Sequence, residues 1–312
     1  STWLRTRRSG VRISPGAPES MKINSQKFLL VKPKVFYYND ETSYSNVFQT
    51  NNELSGVFAK AFTEWNALCN KLMSYGINIK IFDGVESSPD SIFPNWFTTY
   101  EDKTYDIFSM EALNRRTEKT DEIINFLDSR YKLKMNLTSF EEKKMYLEGT
   151  SSMVLDRKNK IAYSCLSSRT NLEMLNIWSS ERGYKIKFFY AYYQNKPVYH
   201  TNVLMWIGDQ IIGLSSSLIE ENVLNELKSS FSEDSELILF DEHQIACFCG
   251  NMIQLNKGKD KYLLLSKTAH ESLNKNQVTI LNRFYDDLII QDISTIEMIG
   301  GGSVRCMIQE LF

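Results

Sequence analysis

Four stretches of the chain repeat one layout: a short strand-like run, a polar turn, a second run and then a helical pattern. The hairpin-like parts are FPNWFTTYEDKTYDIFSM from Phe93, SSMVLDRKNKIAYSCLSS from Ser151, NVLMWIGDQIIGLSSS from Asn202 and NMIQLNKGKDKYLLLS from Asn251. Their turns, from Glu101, Asp156, Gly208 and Asn256, are rich in Asp, Asn, Gly and Lys, the residues that tight turns between strands favour. Apolar residues recur at three and four in LNRRTEKTDEIINFLDSRY, RTNLEMLNIWSSER, SLIEENVLNELKSSF and SLNKNQVTILNRFYDDL, which predicts a helix after each hairpin. The hairpins start about 50 to 58 residues apart, and a fifth unit begins about 52 residues after the fourth. A fixed period of this size predicts an α+β fold of ββαβ-type units closed into a five-bladed, pseudo-symmetric α/β propeller. The plain alternative is a generic α+β domain whose hairpins look alike by chance.

The chain has 312 residues, enough for one large domain or two small ones. The first 20, STWLRTRRSGVRISPGAPES, are arginine-rich and precede Met21. They read as an extension added for expression or a disordered leader, with residues 21–312 as one domain. A net charge of -2 predicts no nucleic-acid partner, and no apolar run nears the roughly 18 residues that span a membrane. Five cysteines, Cys69, Cys165, Cys247, Cys249 and Cys306, are an odd and sparse set. They predict free thiols in a reducing compartment, the cytoplasm.

The repeat puts unusual residues in register. At or just before the first strand of successive units stand Asn95, Glu148-Gly149, His200-Thr201-Asn202, Gly250-Asn251 and Gly302 to Cys306. In a closed array these strand starts converge on one mouth, and glycines there would let backbone approach a small ligand. Cysteine, histidine and glutamate supply a nucleophile, an acid/base and an orienting carboxylate. Cys306 would attack as the thiolate, His200 would shuttle protons, and Glu148 would favour the charged imidazole. A neighbouring cation would then lower the Cys306 pKa and speed its alkylation relative to Cys69 or Cys165. A lone cysteine is otherwise an ordinary buried thiol.

The stretches PDSIFPNWF (89–97), LEGTSSMVLDR (147–157), SSRTN (167–171), YHTNVLMWIG (199–208), CGNMIQL (249–255) and GGGSVRCM (300–307) resemble the amidinotransferase and arginine-deiminase-like superfamily with the five-bladed pentein fold. They run in family order over about 220 residues, and the nearest pattern is the bacterial citrulline-utilisation or amidinotransferase-like subgroup. The resemblance implies a single pentein catalytic domain over 21–312. It implies Cys306 as nucleophile, His200 as acid/base and Glu148 as its carboxylate. Arg169 matches an arginine that grips a substrate carboxylate, a role suited to a planar guanidinium. Asp90 matches an acidic residue near the substrate's amine or guanidinium end. Asn95 and Asn202 stand where relatives carry acids. Amides accept hydrogen bonds but bring no countercharge, so a modified guanidine is expected over free arginine.

The implied chemistry is thiolate attack on a guanidinium carbon, departure of an amine, and hydrolysis of the thiouronium to a ureido product. An amine in place of water would give amidino transfer. A non-catalytic binding protein of the same fold is the alternative from another class. No cofactor and no metal are expected; a homodimer is compatible with the resemblance. Cys247 and Cys249, two apart on a strand, would share a face but lack partners for zinc. His243 and His270 read as surface or loop residues. Asp286-Asp287 and Glu141-Glu142 read as solvated helix faces, and VFYY (35–38) and FYAYY (189–193) as core strands.

Overall fold

The computed structural model describes residues 27–51 and 54–312, so the expected leader lies outside the described residues. Strand β1 (Lys27–Lys32) carries four consecutive buried residues, as a strand covered on both faces should. Helix Val57–Ser74 buries Ala61, Trp65, Leu68, Cys69 and Leu72, a single face at helical spacing. It leads into β2 (Asn78–Asp83), which lies parallel to β1.

The four anticipated hairpins all form, and each is extended by a third strand. Strands β3 (Phe97–Thr99) and β4 (Thr104–Ile107) pair antiparallel, and β5 (Lys132–Asn136) joins β4 in parallel after a helical crossover. The same order recurs in β6 (Val154–Asp156), β7 (Ile161–Cys165) and β8 (Lys185–Phe189). A small added hairpin follows, β9 (Tyr192–Tyr193) with β10 (Lys196–Pro197). The third unit is β11 (Met205–Ile207), β12 (Ile211–Ser215) and β13 (Glu236–Phe240), and the fourth is β14 (Ile253–Lys257), β15 (Asp260–Ser266) and β16 (Asp287–Gln291).

The fifth unit is split between the two ends of the described chain. Strand β17 (Gln309–Leu311) pairs antiparallel with β1, Leu311 opposite Lys27. The order β17-β1-β2 therefore reproduces the other blades, with β17 as the first strand. Contacts of β6 with β11, β11 with β14, and β17 with β3 draw the first strands around one axis. The core fills the spaces between blades. Phe28, Trp65 and Leu264 belong to one apolar cluster, and Trp178, Met174 and Phe108 to another.

Several local expectations are corrected. The helical pattern over 113–131 breaks into Leu113–Arg116 and Asp121–Asp128. Between them Glu118 turns inward to Arg115 and Ser88, and that buried pairing outweighs helix continuity. The pattern from Ser272 stops at Phe284, because Leu288, Ile289 and Ile290 extend β16 alongside β15. Asp287 thus starts a strand, and Glu141 lies in a turn, where it accepts from the Met110 N–H and from Lys119. VFYY is extended loop, with Tyr37 exposed; in FYAYY only Phe189 and Ala191 are buried. Cys247 and Cys249 end the helix Glu242–Ala246 rather than lying on a strand. His243 is exposed, as a surface residue should be, and both it and the half-buried His270 lie in helices rather than loops. Among the described residues no helix is long and apolar enough to cross a membrane.

Candidate active site

The turns that precede the first strands meet at one end of the axis. Close approach there depends on glycine. At Gly149, φ is +54°, and a Cβ would stand 2.2 Å from the Asn95 carbonyl oxygen of the neighbouring blade. Gly301 caps the helix Ser294–Gly300 with φ +60°, turning the chain towards Cys306. The flanking glycines pack on the Phe93 ring, so they serve contact between segments of the chain rather than approach of a ligand.

A cleft at this end is lined by Asp90, Asn95, Arg115, Arg169, His200 and Cys306. Glu148 and Asn202 stand behind it. His200 Nε2 lies 2.8 Å from Glu148 Oε2, and the other oxygen of Glu148 accepts from the Glu111 N–H at 3.0 Å. Tyr199 packs its ring on the imidazole at 4.4 Å and donates from its hydroxyl to the Gly301 carbonyl at 2.6 Å. The Cys306 loop and the histidine are thereby tied together.

The Cys306 sulfur faces two amide donors. Asn251 Nδ2 is 3.2 Å from Sγ and Asn202 Nδ2 is 3.4 Å. Asn251 Oδ1 in turn accepts from the Arg305 N–H at 3.1 Å, which fixes the loop. Burial raises the Cys306 thiol above its ordinary value, only partly offset by the Asn251 donor. Burial also pulls His200 down to about 4; Glu148 opposes this, while Arg169 and Arg115 add to it. Burial alone would raise the Glu148 carboxyl, but Arg169, His200 and Arg115 outweigh it and hold it well below the usual carboxylate range. The resting pair at neutral pH is a thiol and a neutral imidazole on an ionised carboxylate. The expected depression of the Cys306 pKa by a neighbouring cation is therefore corrected: burial wins.

Segment 39–46 covers the cleft. Thr42 accepts from Arg169 Nη2 through its carbonyl at 2.8 Å, and Ser45 Oγ accepts from Nε and Nη2 of the same side chain. Asn39 Nδ2 and Thr42 Oγ1 donate to Asp90 Oδ2 at 2.8 and 3.0 Å, while Asp90 Oδ1 is buried with no partner. The cleft that remains, about 20 Å³, holds roughly one water.

Sequence reasoning missed Arg115. Its Nη2 donates to Asn95 Oδ1 at 2.8 Å and to the Phe93 carbonyl, and Nη1 is 3.9 Å from Glu148. The only signal was the Arg-x-x-Glu spacing to Glu118 inside a helical pattern. Among the described residues no group of three or more His, Cys, Asp or Glu could hold a metal ion.

A cysteine presented on the axis of five ββαβ blades defines a pentein of the guanidino-modifying superfamily. Within that superfamily the chain belongs to the family described as N,N dimethylarginine dimethylhydrolase, eukaryotic, whose profile matches residues 32–312. The superfamily is the level this match shares with the bacterial subgroup that the motifs resemble. No curated protein matches the chain. Among solved structures, the fold is similar to the N-terminal domain of ArgZ, an arginine dihydrolase of cyanobacteria, bound to product. That similarity has TM-score 0.75 and 10% identity over 93% of this chain and 98% of that one. AgrE with ornithine and NAD+ gives TM-score 0.74 and 12% identity over 93% of this chain, which spans only 39% of that protein. A dimethylarginine dimethylaminohydrolase adduct gives TM-score 0.65 and 17% identity over 92% and 100% of the two chains.

Proposed function

We propose that the chain hydrolyses a guanidine C–N bond of an N-methylated arginine, with Cys306 as nucleophile and residues 21–312 as one catalytic domain. One observation carries this reading. The Cys306 thiol, the His200–Glu148 pair and the unpartnered Asp90 Oδ1 meet at one cleft. A buried carboxylate oxygen without a donor suits a cationic ligand with N–H groups. Family membership supports methylated arginine as substrate. So does Asn95, whose amide stands at the cleft without charge. An alkylated guanidinium has fewer N–H donors to satisfy.

The steps follow from the resting charges. A bound guanidinium beside Cys306 favours the thiolate, and His200 accepts the thiol proton. Glu148 stabilises the imidazolium so formed. Sulfur bonds to the guanidinium carbon. The C–N bond to the methylated nitrogen breaks, and His200 returns the proton to the departing amine. Neutral His200 then takes a proton from water as the water adds to the thiouronium carbon. The C–S bond breaks, the released Cys306 thiolate takes the hydroxyl proton, His200 gives its proton to solvent, and a ureido amino acid leaves. Arg169 is the residue to which the substrate carboxylate binds once Thr42 and Ser45 release it.

The test is a ureido-product assay with arginine, N-methylated arginines, N-acylated arginines and agmatine. Product is expected from N-methylated arginine, and Cys306→Ser should lower the rate by about a thousandfold or more. Turnover of arginine alone would overturn the substrate reading. Full activity in Cys306→Ser would overturn the mechanism.

A further inference from the structure

A cavity larger than the cleft lies away from the thiol. It measures about 170 Å³ and lies along β6, β11 and β14 towards their hairpin turns, whereas the cleft lies at the strand starts. The wall between the two is thin. Asn202 lines the cavity while its Nδ2 touches the Cys306 sulfur, and Arg305, which also lines it, directly precedes the nucleophile.

Of the charges that line this cavity, Lys158, Asp209 and Asp234 are exposed at its rim and Asp156 is bonded to Asn159, while two arginines and one glutamate lie deeper. Arg157 and Arg305 both line it, with side chains only 6% and 13% exposed, and they share the carboxylate of Glu310. Arg305 Nη2 is 3.2 Å and Arg157 Nη2 3.8 Å from the same Glu310 Oε2. Arg305 Nη1 is satisfied by the Ile308 carbonyl at 2.7 Å. Arg157 Nη1 is buried with no acceptor, its guanidinium held over the Phe312 ring at 4.1 Å. Glu101 acts on Arg157 only through its field. Burial lowers the Arg305 pKa, and Arg157 adds to that against Glu310. At the floor, Asn202 Oδ1 is buried with no donor. Met153, Met205, Ile212 and Met252 supply apolar wall.

An orphaned cationic donor and an orphaned acceptor, joined by apolar wall, describe a ligand. We propose that this cavity is a second binding site, for a small carboxylate that carries an N–H or O–H donor, such as a short α-hydroxy or α-amino acid. The carboxylate pairs with Arg157 and Arg305, relieving two buried cations that face one anion. The donor satisfies Asn202 Oδ1. A void of roughly 150 Å³ accepts a benzene-sized guest, so an acid of six or so heavy atoms fits. This site is independent of what the cleft binds.

The experiment measures thermal shift and calorimetric binding on the full chain at constant ionic strength. The probes are L-lactate, L-alanine, propionate, propylamine and chloride. L-Lactate or L-alanine should bind saturably, propionate more weakly, and propylamine and chloride not at all. Binding should survive alkylation of Cys306, which blocks the cleft. Arg157→Met should abolish it. Glu310→Gln removes the competing internal carboxylate and should tighten binding by about threefold or more. No saturable binding of either acid overturns the proposal. So does binding that persists in Arg157→Met, that chloride matches, or that vanishes when Cys306 is alkylated. If Arg157→Met does not fold, Glu310→Gln decides: unchanged or weaker affinity overturns the site.

Discussion

The state of the Cys306 thiol is set by what lies nearest to it. Amide N–H groups of Asn251 and Asn202 face the Cys306 sulfur, and the adjacent imidazole is neutral at pH 7. Because burial raises the thiol pKa, the thiolate fraction at neutral pH falls below that of an ordinary cysteine. Alkylation of Cys306 in the ligand-free protein should therefore stay slow at pH 7 and rise with pH through and beyond the usual thiol value. An unreactive guanidinium ligand should move that rise to lower pH, since an opposite charge favours the thiolate. Peptide mapping after iodoacetamide labelling at several pH values checks both; fast labelling at pH 6 without ligand would contradict them. The residues at this site were partly legible in the sequence. Cys306, His200, Asn95 and Asn202 stand just before first strands, so the period brought them together. Arg115 was not legible. Its inward turn depends on Asn95 and Glu118, and nothing in a helical pattern of apolar spacing shows where an arginine points.

At the scale of elements, hairpins were legible because alternation and turn chemistry are local. Helix ends were not, because tertiary partners decided them. Glu118 interrupts one helical pattern, and β15 recruits Leu288 to Ile290 from another. The same tertiary control holds helix Leu172–Arg182 against β4. Asp106 on β4 is fully buried and accepts from Tyr100 Oη, Trp178 Nε1 and Arg182 Nε at 2.8, 3.2 and 2.8 Å. Arg182→Leu leaves that carboxylate without its cation. The expected loss is about 3–5 kcal/mol of stability, read from the shift in denaturant midpoint. A loss under about 1 kcal/mol would show that Tyr100 and Trp178 suffice.

Across the whole molecule, the fold makes a site from distant segments. Asp90, Glu148, His200, Asn251 and Cys306 come from five parts of the chain, and β17 closes the ring only three residues after the thiol. The period predicted that closure, but not that the fifth blade would take its other two strands from the chain's beginning. Nor did it show that segment 39–46 would cover the cleft, since those eight residues carry no pattern of their own. Transfer of the guanidine carbon to Cys306 is the central step of the proposed reaction. Its most direct test is mass analysis of protein acid-quenched during turnover of N-methylated arginine. The substrate less its methylated amine, held as an alkylthiouronium, should appear on the peptide holding Cys306 and disappear in Cys306→Ser. Continuing ureido production with that peptide unmodified, or with the adduct on another residue, would contradict the account.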